Sequence, residues 1–137
     1  MIYIDTSVLG AIFFRETGAE DLLDRLEVSS NHGLRISAWS PTELASVGAI
    51  KQRMGFIDAM TRQHAMATFQ RFASDNLQLT EVDPADFREA ATIIDRSINL
   101  RAGDALHLAI ARRLDCTLLT LDKRQADAAR GVGLKLA

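Results

Sequence analysis

Residues 1–9 read MIYIDTSVL, an apolar run of Ile2, Tyr3 and Ile4 that stops at a carboxylate, Asp5, followed by Thr6 and Ser7. A short stretch of β-branched and aromatic residues bounded by polar ones reads as a buried strand. In an open parallel sheet, ligands bind in the crevice beyond the carboxyl ends of the strands. Asp5 is therefore expected at the rim of such a crevice, and the fold depends on whether later strands deliver acids to the same edge.

Downstream, helical and strand patterns alternate. Residues 8–14 are apolar almost throughout and predict a short helix packed back on the sheet. Residues 19–28 repeat Leu22, Leu23 and Leu26 at helical spacing and predict an amphipathic helix. Residues 29–33 are turn chemistry, and residues 34–38 predict a second strand. Ser40, Pro41, Thr42 and Glu43 look like a helix start, with Ser40 as cap, proline in the first turn and Glu43 closing a capping box. That helix is expected to reach about Met54 and end at Gly55. Further elements are a helix over residues 57–73, a third strand over 77–82, and a helix begun by Asp83 and Pro84 that carries Phe87, Ala90, Ala91, Ile94 and Ile98. Then come a helix over 105–114 directly after Asp104, a fourth strand over 117–121 ending at Asp122, a polar helix over 123–130 and a short edge strand over 134–136. Such alternation defines an α/β fold with a mainly parallel sheet of four or five strands. The right-handed crossover rule sets the helices on its two faces.

The bulk composition narrows the class. At 137 residues, without internal repeat or linker, the chain is expected to be one domain spanning 1–137, large enough for a core without disulfides or structural metal. The longest apolar runs fall short of the ~18 residues of a membrane span, and strand-like sequence begins at once, so neither a span nor a signal peptide is expected. A single cysteine, Cys116, makes no internal disulfide, and a cytoplasmic location is expected. A net charge of -2 gives no global attraction to nucleic acid, so any such contact needs a local basic patch or a bound cation.

Four acids stand at element boundaries: Asp5, Glu43, Asp104 and Asp122. Each has a plain structural reading, because acids at helix starts act as caps and offset the helix dipole. If they converge, their repulsion calls for a cation. Oxygen ligands without a His or Cys cluster favour Mg²⁺ or Mn²⁺ over Zn²⁺, and such an ion suits phosphodiester hydrolysis. Ser7 and Thr120 read either as supports for these carboxylates or as local turn hydroxyls. His107 reads as a ligand or shuttle, or as a histidine satisfied in packing; Trp39 as a base-stacking platform or as core. Arg101, Arg112, Arg113, Lys123 and Arg124 read as a phosphate track or as solvated helix charges. Asp127 reads as a helix surface residue.

Residues 2–9 (IYIDTSVL), 40–45 (SPTELA), 100–111 (LRAGDALHLAIA) and 118–124 (LLTLDKR) together give the chain its family likeness. It resembles the PIN-domain ribonucleases, and within them the VapC-like toxins of bacterial type II toxin–antitoxin pairs. The resemblance implies a three-layer α/β/α sandwich and an endoribonuclease dependent on Mg²⁺, with Mn²⁺ as a substitute. It also implies a cognate antitoxin and a homodimer, while the lack of a long apolar run, already noted, leaves no membrane partner expected. By position, Asp5 and Asp104 correspond to direct metal ligands, Glu43 to an acid acting on metal or water, and Asp122 to a fourth, more variable acid. Gln125 stands where relatives commonly carry an apolar residue, a departure read here as bearing on the packing of the last helix. The apolar helices with Phe13, Phe14, Leu22, Leu23 and Leu26 offer either a groove for an antitoxin or ordinary core. A non-catalytic binding module of the same fold is the competing reading. A phosphotransfer protein is a third, disfavoured because no GxxxxGK[ST] loop is present.

Overall fold

A computed structural model describes residues 1–137. Its strands β1 (Ile2–Ile4), β2 (Leu34–Ser37), β3 (Gln78–Thr80) and β4 (Thr117–Leu119) form one parallel sheet in the order β3-β2-β1-β4. The helices are α1 (Thr6–Phe13), α2 (Ala19–Ser29), α3 (Trp39–Arg53), α4 (Ala59–Asn76), α5 (Pro84–Arg96), α6 (Ala102–Arg113) and α7 (Lys123–Gly131).

Side chains alternate between the faces of a strand, and here the alternation builds two cores. Ile2, Ile4, Leu34, Ile36 and Leu119 pack with Val8, Leu9, Leu22, Leu26, Leu44 and Phe69 from α1 to α4. Tyr3 and Leu118 point the other way, into Ala90, Ile93, Leu106, Leu108, Ile110 and Ala129 from α5, α6 and α7. The result is the expected three-layer sandwich. From β1 the chain steps outward through β2 to β3, then returns across the sheet to place β4 on the far side of β1. Because crossovers keep one hand, reversing direction moves the connecting helices to the opposite face. The reversal point, between β1 and β4, is where such sheets open a crevice.

Several boundaries differ from the sequence reading, for local reasons. Strands β2, β3 and β4 stop at Ser37, Thr80 and Leu119 because their pairing partners stop there: Ser37 pairs with Thr80, and Leu119 with Ile4. The expected edge strand contributes one parallel bridge, Leu136 to Leu118, so the sheet has four strands. Helix α3 begins at Trp39 on Ala38, with no side-chain cap and no acid in its first turn. The expected Ser40–Glu43 capping box is thus absent: Ser40 is buried inside the helix, and Glu43 lies a turn further in, engaged elsewhere. A capping box does form at α5, where Asp83 Oδ1 accepts from Ala85 N–H and Asp86 Oδ2 from Asp83 N–H. That helix ends at Arg96, leaving Ile98 outside it and exposed. Gly55, at φ +77°, takes the left-handed turn that follows α3.

Candidate metal centre and active site

All four acids line one cleft at the β1/β4 crevice. Asp5 follows β1, Asp122 is the N-cap of α7 after β4, Asp104 lies in the first turn of α6, and Glu43 reaches in from α3. Together with Thr6, Ser7 and Glu16 they line a cleft of about 390 Å³. The electrostatics follow from the placement. Burial, and then the charges of Asp5, Asp122 and Glu43, push the Asp104 carboxyl above its ordinary range, against a smaller opposing pull from its backbone hydrogen bond at Arg101.

Asp5, only 4% exposed, is held from several sides. Its Oδ2 accepts from Ser7 N–H (2.9 Å), Ser7 Oγ (2.5 Å) and Thr120 Oγ1 (3.2 Å). Its Oδ1 accepts from Gln125 Nε2 at 3.0 Å. Asp5 and Asp122 both act as helix caps while lining the cleft, since Asp5 caps α1 and Asp122 Oδ1 caps α7 by accepting from Arg124 and Gln125 N–H. Ser7 and Thr120 are supports for Asp5 and also meet each other, 3.3 Å apart.

Glu43 is fixed from below. Its Oε2 accepts from Thr6 Oγ1 (3.0 Å) and from His107 Nε2 (2.6 Å). The other ring nitrogen, Nδ1, is 2.7 Å from the Tyr3 hydroxyl, which in turn lies 2.8 Å from Ser37 Oγ. Both Tyr3 and His107 are fully buried. Burial raises the Tyr3 hydroxyl above its ordinary range, against the opposing bond to Ser37 and with help from the charges of Asp5 and Glu43. His107 is therefore a packed, satisfied histidine whose partner is a candidate catalytic acid. With both nitrogens engaged, it is not an open ligand position. Gly103 leaves room for this arrangement, since a Cβ there would come within 3.2 Å of Glu43 Oε1.

Trp39 belongs to the core side, packed with Ile94 and Leu106 beside a small apolar cavity. Asp127 is a surface residue paired with Arg130. Arg112 and Arg113 pair with Glu89 and Asp86, away from the cleft, whereas Arg101, Lys123 and Arg124 are exposed beside Asp104 and Asp122. The Gln125 reading needs correction: its amide enters the site, so its effect is not confined to packing. Thr6 and Glu16 were not singled out from the sequence. Glu16 lines the cleft but is paired with Lys51 at 3.0 Å. The signal for Gln125 lay in its spacing, three residues after Asp122 and so on the same helix face. A separate groove of about 780 Å³ runs between α1, α2 and α4, lined by Phe13, Leu23, His64 and Phe72, while Leu22 and Leu26 are core.

The donor set fits a hard divalent cation. It is made of carboxylate oxygens gathered in one cleft, where burial and then mutual repulsion raise Asp104, with the one nearby histidine already engaged. No three His, Cys, Asp or Glu side chains stand close enough to hold one ion among them. An ion held there would therefore take one or two of these carboxylates and complete its shell with water.

The PIN domain family model matches residues 2–131. The chain therefore belongs to the PIN-domain family. Solved structures of the same fold include VapBC2 from Rickettsia felis bound to a promoter DNA fragment, at 17% identity and a TM-score of 0.75, covering 100% of this chain and 98% of that one. VapC20 of Mycobacterium tuberculosis, a sarcin–ricin loop cleaving toxin, matches at 17% identity and 0.72, covering 93% and 95%. DNA-bound VapBC from Salmonella typhimurium matches at 16% and 0.72, covering 99% and 96%. No curated protein sequence matches the chain.

Proposed function

We propose that the chain is a metal-dependent endoribonuclease that hydrolyses RNA phosphodiester bonds and serves as the toxin of a toxin–antitoxin pair. The observation that carries the reading is the Asp104 carboxyl, pushed up by burial and by three neighbouring acids in one cleft. A site that gathers four carboxylates with no lysine or arginine paired to any of them is suited to a bound cation.

Asp5 and Asp104 are the carboxylates that would hold Mg²⁺ or Mn²⁺, and the ion, when bound, supplies a polarised phosphoryl oxygen and an acidified water. The chain's own residues do the rest. Ser7, Thr120 and Gln125 fix Asp5, so its oxygens do not reorient during turnover. Glu43, held by Thr6 and His107, accepts a proton from the attacking water, with Asp122 across the cleft helping to position that water. Arg101, Lys123 and Arg124 hold the RNA backbone at the cleft mouth.

An antitoxin segment is proposed to lie in the groove between α1, α2 and α4. A homodimer and a cytoplasmic location belong to the same reading. No helix is long and apolar enough to cross a membrane, and the single cysteine is buried.

The test is cleavage of a labelled single-stranded RNA with Mg²⁺, with Mn²⁺ and with EDTA. Cleavage is expected with either metal and is expected to vanish with EDTA and in a folded Asp104→Asn variant. RNA binding that survives EDTA without any cut product overturns the nuclease reading in favour of a binding module.

A further inference from the structure

Gln125 of α7 is fully buried, and its polar contacts all lead to the acids. Its backbone N–H donates to Asp122 Oδ1 at 3.1 Å, and its side-chain Nε2 donates to Asp5 Oδ1 at 3.0 Å and to the Asp104 carbonyl oxygen at 3.3 Å. One residue thus binds three of the four acids, joining the end of β1, the start of α6 and the cap of α7. The orientation of the amide is set by chemistry. Both side-chain partners are pure acceptors, so only the NH₂ group can face them.

The amide oxygen is buried with no hydrogen-bond partner. Burying an unsatisfied acceptor is unfavourable, and an apolar side chain of similar volume would avoid it. Packing alone therefore does not account for glutamine at this position, whereas a need to hold Asp5 does. Asp5 Oδ2 already takes three donors, which leaves Oδ1 as the oxygen with accepting capacity to spare. Gln125 occupies one direction at Oδ1 and so limits where the remaining lone pair points.

Resting on the metal-centre reading above, we propose that Gln125 is a positioning residue of that centre: it aims Asp5 Oδ1 and locks the Asp104 turn of α6 against the end of β1. It touches neither the substrate nor the reacting atoms, and acts through the acids it holds. Residues that orient metal ligands commonly change metal affinity by roughly tenfold to a hundredfold when removed.

The test is calorimetric titration of Mn²⁺ alone into the metal-free full chain and into Gln125→Met, which keeps the length of the side chain without its donor. Thermal unfolding of both metal-free proteins is measured alongside. Mn²⁺ is expected to bind the variant at least roughly tenfold more weakly, with a melting temperature close to that of the parent. The Mn²⁺ concentration for half-maximal cleavage is expected to rise by the same factor, with kcat at saturating Mn²⁺ falling less. Should Gln125→Met not fold, Gln125→Leu is read in its place. Equal Mn²⁺ affinity in parent and folded variant overturns this inference and leaves the metal centre standing. Absence of Mn²⁺ binding in the parent overturns both.

Discussion

His107 Nε2 lies 2.6 Å from Glu43 Oε2, and this contact joins α6 to α3 across the end of the sheet. Behind it, Nδ1 rests against the Tyr3 hydroxyl of β1. A glutamate in the second turn of a helix has several rotamers open to it, and ordering a side chain of that type costs up to ~2 kcal/mol. The histidine confines Glu43 to the rotamer that faces Asp5 and Asp104.

Replacing His107 with leucine is therefore expected to lower RNA cleavage by roughly tenfold to a hundredfold. His107→Gln, which retains a donor, is expected to recover part of the loss. The decisive comparison is a double-mutant cycle measured on kcat/KM. In a Glu43→Ala background, His107→Leu should cause little further loss, because its effect passes through the missing acid. Losses that simply add would reduce His107 to a packing residue.

Asp104 links the site to stability. Its folded pKa is raised, so the folded chain binds more protons than the unfolded one in that range. Its contribution favours folding below the ordinary carboxylate range and is lost as pH rises through the folded value. At neutral pH the metal-free protein thus carries an electrostatic penalty, and Asp104→Asn is expected to melt at a higher temperature. The gap should narrow as pH is lowered through the titration of Asp104. Added Mn²⁺ should raise the melting temperature of the parent and not of the variant. A lower melting temperature for metal-free Asp104→Asn at pH 7 would favour a purely helix-stabilising role.

Asp86 shows the opposite sign. Burial alone would raise its carboxyl, but two hydrogen bonds of 2.8 Å from Arg113, the Asp83 N–H and the Arg113 charge together hold it below the ordinary range. Asp86→Ala removes this pair and one half of the α5 capping box. It is expected to destabilise the protein by about 2 kcal/mol, less than for a fully buried pair because Arg113 is 34% exposed. The difference from the parent should be complete above the ordinary carboxylate range and disappear as pH falls through the depressed pKa, read by denaturant titration at several pH values. Cleavage at neutral pH should not change, since the pair is remote from the cleft.

Much of this was legible in the sequence because the relevant signals are local. The strand run ending at Asp5 and the helical spacing of α2 and α5 pointed to the layers, and Asp5 and Asp122 follow β1 and β4 as expected. The Ser40–Glu43 capping box failed because local pattern competes with tertiary partners: Glu43 finds His107 and Thr6, 64 and 37 residues away in sequence. Gln125 was misjudged for the same reason, because its partner Asp5 is 120 residues distant. Periodicity records which face a residue occupies, and an amide on a buried face gives no sign of which acceptor it meets.

Charge placement separates the five basic residues near the acidic segments into two groups. Arg112 and Arg113 are neutralised by Glu89 and Asp86 at the far end of α6, while Arg101, Lys123 and Arg124 are exposed at the starts of α6 and α7 beside the cleft. On the proposed nuclease reading, a phosphate backbone entering the cleft is expected to meet the second group and not the first. Each phosphate contact to single-stranded nucleic acid contributes about 0.7 to the slope of log affinity against log salt. In the cleavage-deficient Asp104→Asn background, changing Arg101, Lys123 and Arg124 together to alanine is expected to weaken RNA binding and flatten that slope by about 2. Arg112→Ala should leave both affinity and slope unchanged. Fluorescence anisotropy over a range of salt concentrations makes the measurement, and an unaltered slope in the triple variant would show that the RNA backbone takes another path across the protein.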